Sequence, residues 1–402
     1  MFGLIKLREW RERLILPTPD RVDPMLLTVA ALILFWGLIM VASASVAVAE
    51  RHTGMPFHYF YRQLVFALFG LGVAFVVFQV PIKTWEDSGF SLLVFAMLML
   101  LIVFIPGIGR EVNGAQRWID LGPVNLQASE PARFCLVMYL ASYVVRRRVE
   151  LSLDFKGMVK PMIPLSLACA LMLLEPDYGA VVILMAVSLM ILFLAGARIL
   201  HLSVLFGVAC SGLVYLALSS PYRLRRLVSF TNPWEDPYDS GFQLSQALIA
   251  IGRGEWFGVG LGNSVQKLLY LPETHTDFVY AVLAEETGLF GSLLLIGLFV
   301  LLMWRGFDIA GRALVREQYF GAYVCYGFTA WIGLQAFVNL AVNMGLLPTK
   351  GLTLPLMSYG GSSLVVMFMV LAVMLRIDAE SRGAVADSKP VERPHLPQGA
   401  RA

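Results

Sequence analysis

Charged residues are scarce in this chain: Asp, Glu, Lys and Arg make up 15% of its 402 residues, against 58% hydrophobic residues. A soluble globular protein carries roughly 25% charged residues, because water must solvate its surface. The mean hydropathy of +0.72 agrees with this deficit. We therefore exclude a disordered chain and an ordinary soluble enzyme, and expect an integral membrane protein.

Cysteine, histidine and basic runs are sparse as well. The 4 cysteines stand far apart in apolar stretches without a CxxC pair, and the 5 histidines form no cluster with metal-ligand spacing. The net charge is only +3, and no long basic run is interleaved with aromatic residues. This composition argues against a disulfide framework, a metal site and a nucleic-acid partner.

The stretch GVGLGNS at 258–264 does not match a dinucleotide-binding motif, because Asn263 stands where the third glycine belongs and no strand precedes it.

Long apolar segments fill most of the chain. A helix that crosses about 30 Å of hydrocarbon needs about 20 mostly apolar residues. We predict an all-α polytopic membrane protein with about ten transmembrane helices. The predicted spans are 25–47, 62–82, 89–107, 131–146, 158–174, 178–196, 199–219, 279–304, 318–341 and 355–375. The predicted organisation is a cytoplasmic amphipathic segment (1–24), for which a frayed basic tail is the alternative, a membrane domain (25–378) and a disordered cytoplasmic tail (379–402).

The distribution of basic residues predicts the orientation. Most of the 31 Lys and Arg residues fall in segments on the same side as the N-terminus, so both termini are expected inside. The loop 220–278 between spans 7 and 8 then lies outside. Its aromatic residues predict a structured loop, and GFQLSQALIAI at 241–251 predicts an amphipathic helix at the membrane interface.

Ionisable residues near the hydrocarbon are candidates for function, because they are expensive to keep there. Asp277 stands where the long loop meets the eighth span. It is either a helix N-cap, with Thr276 as the competing cap, or a functional carboxylate, and the local sequence favours the cap. Glu285 and Glu286 lie inside an apolar run, so both need partners and at least one is expected to face the bundle interior.

A second group of ionisable residues lies at one membrane boundary, where Arg117, Asp120, Glu130 and Arg133 follow one another within 117–134. The simplest interpretation is an Arg–carboxylate network that holds a loop.

A third group is the stretch PTKGLTLPLMSYGGSS at 348–363, where Pro, Gly and hydroxyl residues interrupt an apolar region. Irregular backbone at membrane depth is tolerated only inside protein or along a wet cavity. Lys350 brings a cation into this stretch, which is either a re-entrant linker with a snorkelling lysine or a binding segment. The density of Gly, Ser and Thr favours binding.

Together these groups predict a site on the outer face with carboxylates and cations. Cations such as Arg117, Lys350 and the cluster Arg223, Arg225 and Arg226 suit a phosphate-bearing lipid. A carboxylate beside them suits a general base. The residues alone leave open whether such a lipid is transformed or transported.

The chain resembles the SEDS family of bacterial membrane proteins over about residues 20–380, and within it the cell-division type. The most specific motifs are GFQLSQALIAIGRGEWFGVGLGNSVQK (241–267), YLPETHTDFVYAVLAEETG (270–288) and LLPTKGLTLPLMSYGGSS (346–363). RWIDLG (117–122), EPDYG (175–179) and NPWEDPYDSGFQ (232–243) support the resemblance. One departure is QASE at 127–130, where the family usually has QPSE, although Glu130 is kept.

The resemblance implies an inverting peptidoglycan glycosyltransferase of the cytoplasmic (inner) membrane. It would polymerise lipid II, an undecaprenyl-pyrophosphate disaccharide-pentapeptide, on the periplasmic face at the division septum. Its implied partners are a class B penicillin-binding protein and other divisome proteins. Asp277 matches the family's essential loop aspartate, which reverses the local preference for a cap. Implied substrate-binding positions are Lys350, Arg117, Glu130, Glu175, His275 and Ser358. No cofactor is implied with certainty, and a divalent cation (Mg²⁺ or Mn²⁺) stays open.

Two other functions remain as alternatives. A lipid II flippase predicts ionisable residues at mid-depth in the bundle and internal repeats, and we find no clear repeat. A non-catalytic divisome scaffold predicts that Asp277 and Lys350 tolerate replacement.

Overall fold

The computed structural model describes residues 22–112, 115–120, 122, 125–218, 230–236, 241–348 and 351–387. The following predicted features lie outside the described residues: positions 1–21 of the amphipathic segment, the cluster Arg223, Arg225 and Arg226, Lys350, and positions 388–402 of the tail.

Helices dominate the described chain. In order they are α1 (Pro24–Thr53), α2 (His58–Gln79), α3 (Ile82–Asp87), α4 (Gly89–Ile102), α5 (Ser129–Arg146), α6 (Arg148–Leu153), α7 (Phe155–Leu174), α8 (Tyr178–Leu194), α9 (Ile199–Leu218), α10 (Phe242–Gly254), α11 (Val279–Val315), α12 (Tyr319–Asn343) and α13 (Gly361–Asp387). Each predicted span overlaps one of these helices. Six described helices, α1, α2, α7, α11, α12 and α13, are long and apolar enough to cross a membrane. The chain is therefore a multi-pass membrane protein.

The remaining predicted spans coincide with shorter helices. Three of them, α4, α8 and α9, are apolar but contribute fewer than 18 residues each to a candidate span. The fourth, α5, has 18 residues and is buried along almost its whole length. Helix α5 packs against α4, α8 and α12, so it lies inside the bundle.

A small sheet departs from the all-α prediction. Strands β1 (Gly109–Val112), β2 (Ala115–Asp120) and β3 (Asn125–Gln127) pair antiparallel in that order. Ala115 and Ile119 are buried on β2, and Ile119 packs against Val103 at the end of α4. The pairing with β1 is irregular at Arg117, because the register passes from Trp118 to Gln116 and leaves Arg117 out. The alternation is too short and too polar to predict strands from the sequence.

Helix α11 is broken at Gly288, whose backbone angles (φ 67°, ψ −161°) are open to glycine almost alone. The loop 255–260 pairs with the backbone on both sides of the break. The bonds run from Val259 N to Glu285 O (3.0 Å), from Gly260 N to Glu286 O (3.1 Å), from Leu289 N to Glu255 O (2.9 Å) and from Phe290 N to Trp256 O (3.2 Å). A Cβ at Gly258 would overlap the Glu286 carbonyl. Gly258 of the GVGLGNS stretch therefore serves close backbone packing.

The loop before α11 contains the predicted amphipathic helix, which is α10. Its buried side, formed by Leu244, Ala247 and Ala250 among others, packs on α11. The prediction of a helix at 241–251 is thus confirmed.

The last helix differs from its prediction at both ends. Residues 351–360 are irregular, as the Pro and Gly content indicated, so α13 begins at Gly361 and not at 355. It continues to Asp387, so residues 379–387 of the predicted tail are helical. Ion pairs explain the extension, because Arg382 contacts Asp378 at 2.7 Å and Asp23 at the start of α1 at 3.2 Å.

Candidate active site

Asp277 lies at the end of the long loop, one residue before the N-cap of α11. Its side chain is half-buried. The helix N-cap is Phe278, and no side chain caps the helix. Thr276 instead donates its hydroxyl to the Glu273 carboxylate at 2.6 Å. The cap interpretation is therefore wrong for both residues, and the Asp277 carboxylate is left available for other chemistry.

The backbone of Asp277 is fixed by α12. The side-chain amides of Asn339 and Asn343 both donate to the Asp277 carbonyl, at 2.9 and 3.0 Å. The Asp277 carboxylate itself lies against Gly351, where an added Cβ would stand 3.2 Å from Oδ2. The loop carboxylate thus meets the 351–360 segment, which follows Lys350 in the chain.

The surroundings of Asp277 disfavour its charged form. Burial raises the pKa of Asp277 to about 7, and the negative charge of Glu273 acts in the same direction. The Arg117 guanidinium opposes both effects. A carboxyl group with a pKa near neutrality is matched to general acid–base work.

Glu175 is a second perturbed carboxyl group in the same region, directly after α7. It is fully buried, and neither carboxylate oxygen has a hydrogen-bond partner among the described residues. Burial raises the pKa of Glu175 to about 8, the charge of Asp177 raises it further, and Arg117 lowers it. The same guanidinium therefore acts on Glu175 and Asp277. We call these three side chains the Arg117 triad.

The predicted network at 117–134 divides into two parts. Glu130 and Arg133 form a buried ion pair at 2.6 Å, as expected, and Arg133 lies 4.7 Å from the centre of the Trp331 ring. Asp120 pairs instead with Arg110 at 3.7 Å in an exposed position. Arg117 belongs to neither pair, which leaves its charge for the site.

His275 and Ser358 are engaged in packing beside the site. The buried His275 ring packs against Tyr59 and Tyr359, with ring centres 4.7 and 5.5 Å away, and the two tyrosine rings also contact each other. Burial lowers the pKa of His275, so its neutral form is favoured at pH 7. The Ser358 hydroxyl accepts a bond of 2.8 Å from the Leu354 amide. Both residues shape the wall formed by 351–360.

The two adjacent carboxylates of α11 both face inward and have partners, which confirms the prediction. Glu285 accepts bonds from Arg253 Nη1 (3.1 Å), Val265 N (3.1 Å) and the Ser264 hydroxyl. Glu286 accepts bonds from Lys267 Nζ (2.8 Å) and Ser43 Oγ (2.7 Å). These contacts tie the loop that leads to Asp277 onto α11 and α1.

Metal ligands are not gathered in this region. Across the described part of the chain, no three His, Cys, Asp or Glu side chains are grouped to hold a metal ion. The described residues do not supply the ligand set of a resident divalent ion, and the chemistry below uses side chains only.

Comparison with known proteins identifies the family. The family model of FtsW, RodA and SpoVE, described as "cell cycle protein", matches residues 23–383. This chain belongs to that family. The resemblance seen in the sequence is therefore confirmed, and the family and the six apolar helices make the chain a multi-pass protein of the inner membrane.

Two relatives with high sequence identity to this chain have the same name. Proteins named "Probable peptidoglycan glycosyltransferase FtsW" from Alkalilimnicola ehrlichii and Nitrosococcus halophilus are 52% and 53% identical to this chain. The matches cover 93% and 91% of this chain and 94% of each relative.

Solved structures share the fold. A chain of a peptidoglycan synthase complex, reported for its coordination of polymerization and crosslinking, is 30% identical, with a TM-score of 0.73 over 90% of this chain and 98% of its own. The rod shape determining protein RodA of Thermus thermophilus is 29% identical, with a TM-score of 0.65 over 89% of this chain and 96% of its own.

Proposed function

We propose that this chain is a peptidoglycan glycosyltransferase that polymerises lipid II into glycan strands during cell division. The relatives named for this activity, which match nearly end to end, support the proposal. The observation that carries the mechanism is the half-buried Asp277 carboxyl, whose pKa is raised to about 7 although the Arg117 charge lowers it.

The proposed reaction needs one base. The ionised Asp277 carboxylate takes the proton from the 4-hydroxyl of the acceptor GlcNAc. The freed oxygen attacks the anomeric carbon of the donor MurNAc with inversion, and undecaprenyl pyrophosphate leaves with the bonding electrons. Because pyrophosphate is already a good leaving group, no second carboxyl acid is required, in contrast to a glycosidase pair. Asp277 then returns its proton to water.

The leaving pyrophosphate needs positive charge. We assign this role to Arg117 of the triad and, from its place in the motif, to Lys350. Glu175 is largely protonated at neutral pH, since its pKa is raised to about 8, so it adds no negative charge beside the leaving pyrophosphate; its contact with the substrate stays a prediction. Glu130, His275 and Ser358 stay predictions as substrate contacts.

We place this site on the periplasmic face, at the septum, with a class B penicillin-binding protein as partner. The basic-residue distribution supports the orientation. The similarity to a chain of a peptidoglycan synthase complex supports a partner that crosslinks the strands.

The positions of the buried ion pairs favour polymerisation over lipid translocation. Glu130–Arg133 lies at the start of α5, and Glu286–Lys267 lies about two turns into α11, before its break at Gly288. The pairs of Asp23 and Asp378 lie towards the opposite ends of α11 and α13. A flippase would require ionisable groups along the middle of a path.

Lipid II polymerisation by purified protein tests the proposal. The full chain is reconstituted with its class B partner, the partner's active site is blocked by a β-lactam, and the glycan products are separated on a gel. We expect ladders from the wild type and none from Asp277→Asn in an intact complex. No ladders from the wild type would reject the proposal, and a lipid-translocation assay would then test the flippase.

A further inference from the structure

A row of polar side chains, one indole and three amides, runs along one side of α12 and ends at Asp277. Trp331, Gln335, Asn339 and Asn343 follow one another at intervals of four, so they share one helix face. All four are buried, with exposed fractions of 0%, 0%, 2% and 0%. Polar groups inside a membrane bundle are costly unless they are hydrogen-bonded, so the contacts of this row define what it does.

Asn339 and Asn343 converge on one atom. Both Nδ2 groups donate to the Asp277 carbonyl, which thereby uses both of its acceptor sites. The second N–H of Asn339 goes to the Leu352 carbonyl at 2.6 Å. Asn343 also accepts from the Ala281 amide at 3.3 Å. We call this arrangement the amide clamp.

The amide clamp joins three chain segments: the end of the long loop, the first turn of α11 and the irregular segment after Lys350. Gln335 extends the junction by donating to the Thr353 carbonyl at 2.9 Å, while it accepts from Trp331 Nε1 at 2.8 Å. One helix face therefore sets the distance between the backbone of Asp277 and the backbone of 352–353.

The amide clamp binds main-chain atoms, and its hydrogen bonds do not include the Asp277 carboxylate. That carboxylate lies against Gly351, the residue before the clamped Leu352. A shift of either backbone would therefore move the carboxylate relative to the 351–354 wall. Misplacing a reacting group by about 1 Å can cost on the order of 100-fold in rate.

We propose that Asn339 and Asn343 are positioning residues for the polymerisation reaction, which fix Asp277 against the 351–354 segment. The proposal rests on the proposed function, because it assigns these amides to the same step. They do not touch the substrate, so their loss should slow the chemical step and leave lipid II binding in place.

The test compares Asn339→Leu and Asn343→Leu in the full chain with its class B partner, using lipid II as the substrate. Gln79→Leu is the matched control, since its half-buried amide has no hydrogen-bond partner among the described residues and lies at the far end of α2. For folded Asn339→Leu we expect kcat to fall about tenfold or more, with KM within about threefold. Asn339→Gln, which restores the donors on a longer side chain, should recover part of kcat, and Gln79→Leu should match the wild type.

A purely structural role predicts a different pattern: a lower melting temperature and less folded protein, with wild-type kcat per folded molecule. That result, or wild-type kcat in a folded Asn339→Leu, would overturn the proposal. If Asn339→Leu does not fold, Asn343→Leu decides, because it keeps the Asn339 bond to Asp277. Wild-type kcat in Asn343→Leu would then overturn the positioning role of Asn343, and with it the proposal that two donors hold the Asp277 carbonyl.

Asp277→Asn separates this inference from the proposed function. It keeps the clamped carbonyl and removes only the base. An inactive Asp277→Asn beside a fully active Asn339→Leu rejects the clamp alone, whereas an active Asp277→Asn rejects the assignment of the base and the clamp with it.

Discussion

The charge state of Asp277 depends on neighbours of opposite sign. Burial and Glu273 raise the pKa of Asp277, and Arg117 lowers it. A base must be ionised to act, so activity should rise with pH through the pKa of this group. The acid limb of the pH–activity profile is therefore expected near pH 7.

Removal of the Glu273 charge should move the acid limb of the pH–activity profile to lower pH. Glu273→Gln removes a repulsive negative charge, which lowers the pKa of Asp277 and shifts the acid limb of kcat/KM to lower pH. Glu255→Gln is the control, because it makes the same change at another exposed position of the loop that does not act on Asp277. The measurement is lipid II polymerisation between pH 5 and pH 9. An unchanged limb in Glu273→Gln would show that Asp277 is not the group that titrates.

The sequence identified the principal carboxylates but not the residues that hold them. Asp277 and Arg117 were found because ionisable residues near the hydrocarbon are conspicuous, whereas Glu175 and the choice of Asp277 over a helix cap came from the family resemblance. The amides Asn339 and Asn343 were missed, although the spacing of Gln335, Asn339 and Asn343 in an apolar helix is a usable signal. Partners such as Ser43 for Glu286 could not be predicted, because they lie more than 200 positions away in the chain.

At the scale of elements, the break in α11 separates the turn that follows Asp277 from the apolar helix beyond it. The loop 255–260 satisfies backbone groups on both sides of Gly288, which compensates for the interrupted helix. The packing of the loop 255–260 on α11 requires glycine at 258 and 288, so these glycines do not indicate a ligand site.

Alanine at the break should be strongly destabilising. Gly288→Ala places a Cβ against the Gly258 amide and forces a backbone conformation that costs an alanine about 1–3 kcal/mol before the overlap is counted. Gly297→Ala on the same helix is the control, since nothing lies within 4 Å of its added Cβ. We expect the melting temperature in detergent to fall by several degrees for Gly288→Ala and to stay the same or rise for Gly297→Ala. Equal melting temperatures for the two variants would contradict this account of the packing at Gly288.

Elements were predictable where one physical signal dominates. The apolar spans and the amphipathic α10 followed from hydrophobicity and its period. The three-stranded sheet at 109–127 did not, because short polar strands lack a clear alternation. The extension of α13 to Asp387 depends on ion pairs with α1 and α11, which only the tertiary structure provides.

At the scale of the whole molecule, the candidate residues converge at one end of the bundle. The sheet, the turn after α7, the loop before α11 and the segment 351–360 meet there, for example through the bond of 2.9 Å from Gln127 to Asp177. The predicted orientation places this end on the periplasmic face, where we propose that lipid II is polymerised.

Cysteine labelling tests the orientation. In a chain freed of its four cysteines, Glu235→Cys lies in the long loop and Asp87→Cys is the last residue of α3, and both positions are exposed. In right-side-out spheroplasts a membrane-impermeant maleimide should label Glu235→Cys directly and Asp87→Cys only after permeabilisation. The reverse pattern would contradict the orientation with both termini inside.

The central claim is that Asp277 is the base of a glycosyltransferase, and its most direct test is the initial rate of lipid II polymerisation by Asp277→Asn in the reconstituted complex. Glu273→Gln serves as the control for a lost carboxylate four residues away. Positioned general bases contribute about 10²- to 10⁴-fold, so the account predicts a loss of at least 100-fold in Asp277→Asn with the complex intact, and less than about threefold in Glu273→Gln. Polymerisation by Asp277→Asn at a rate close to that of the wild type would contradict it.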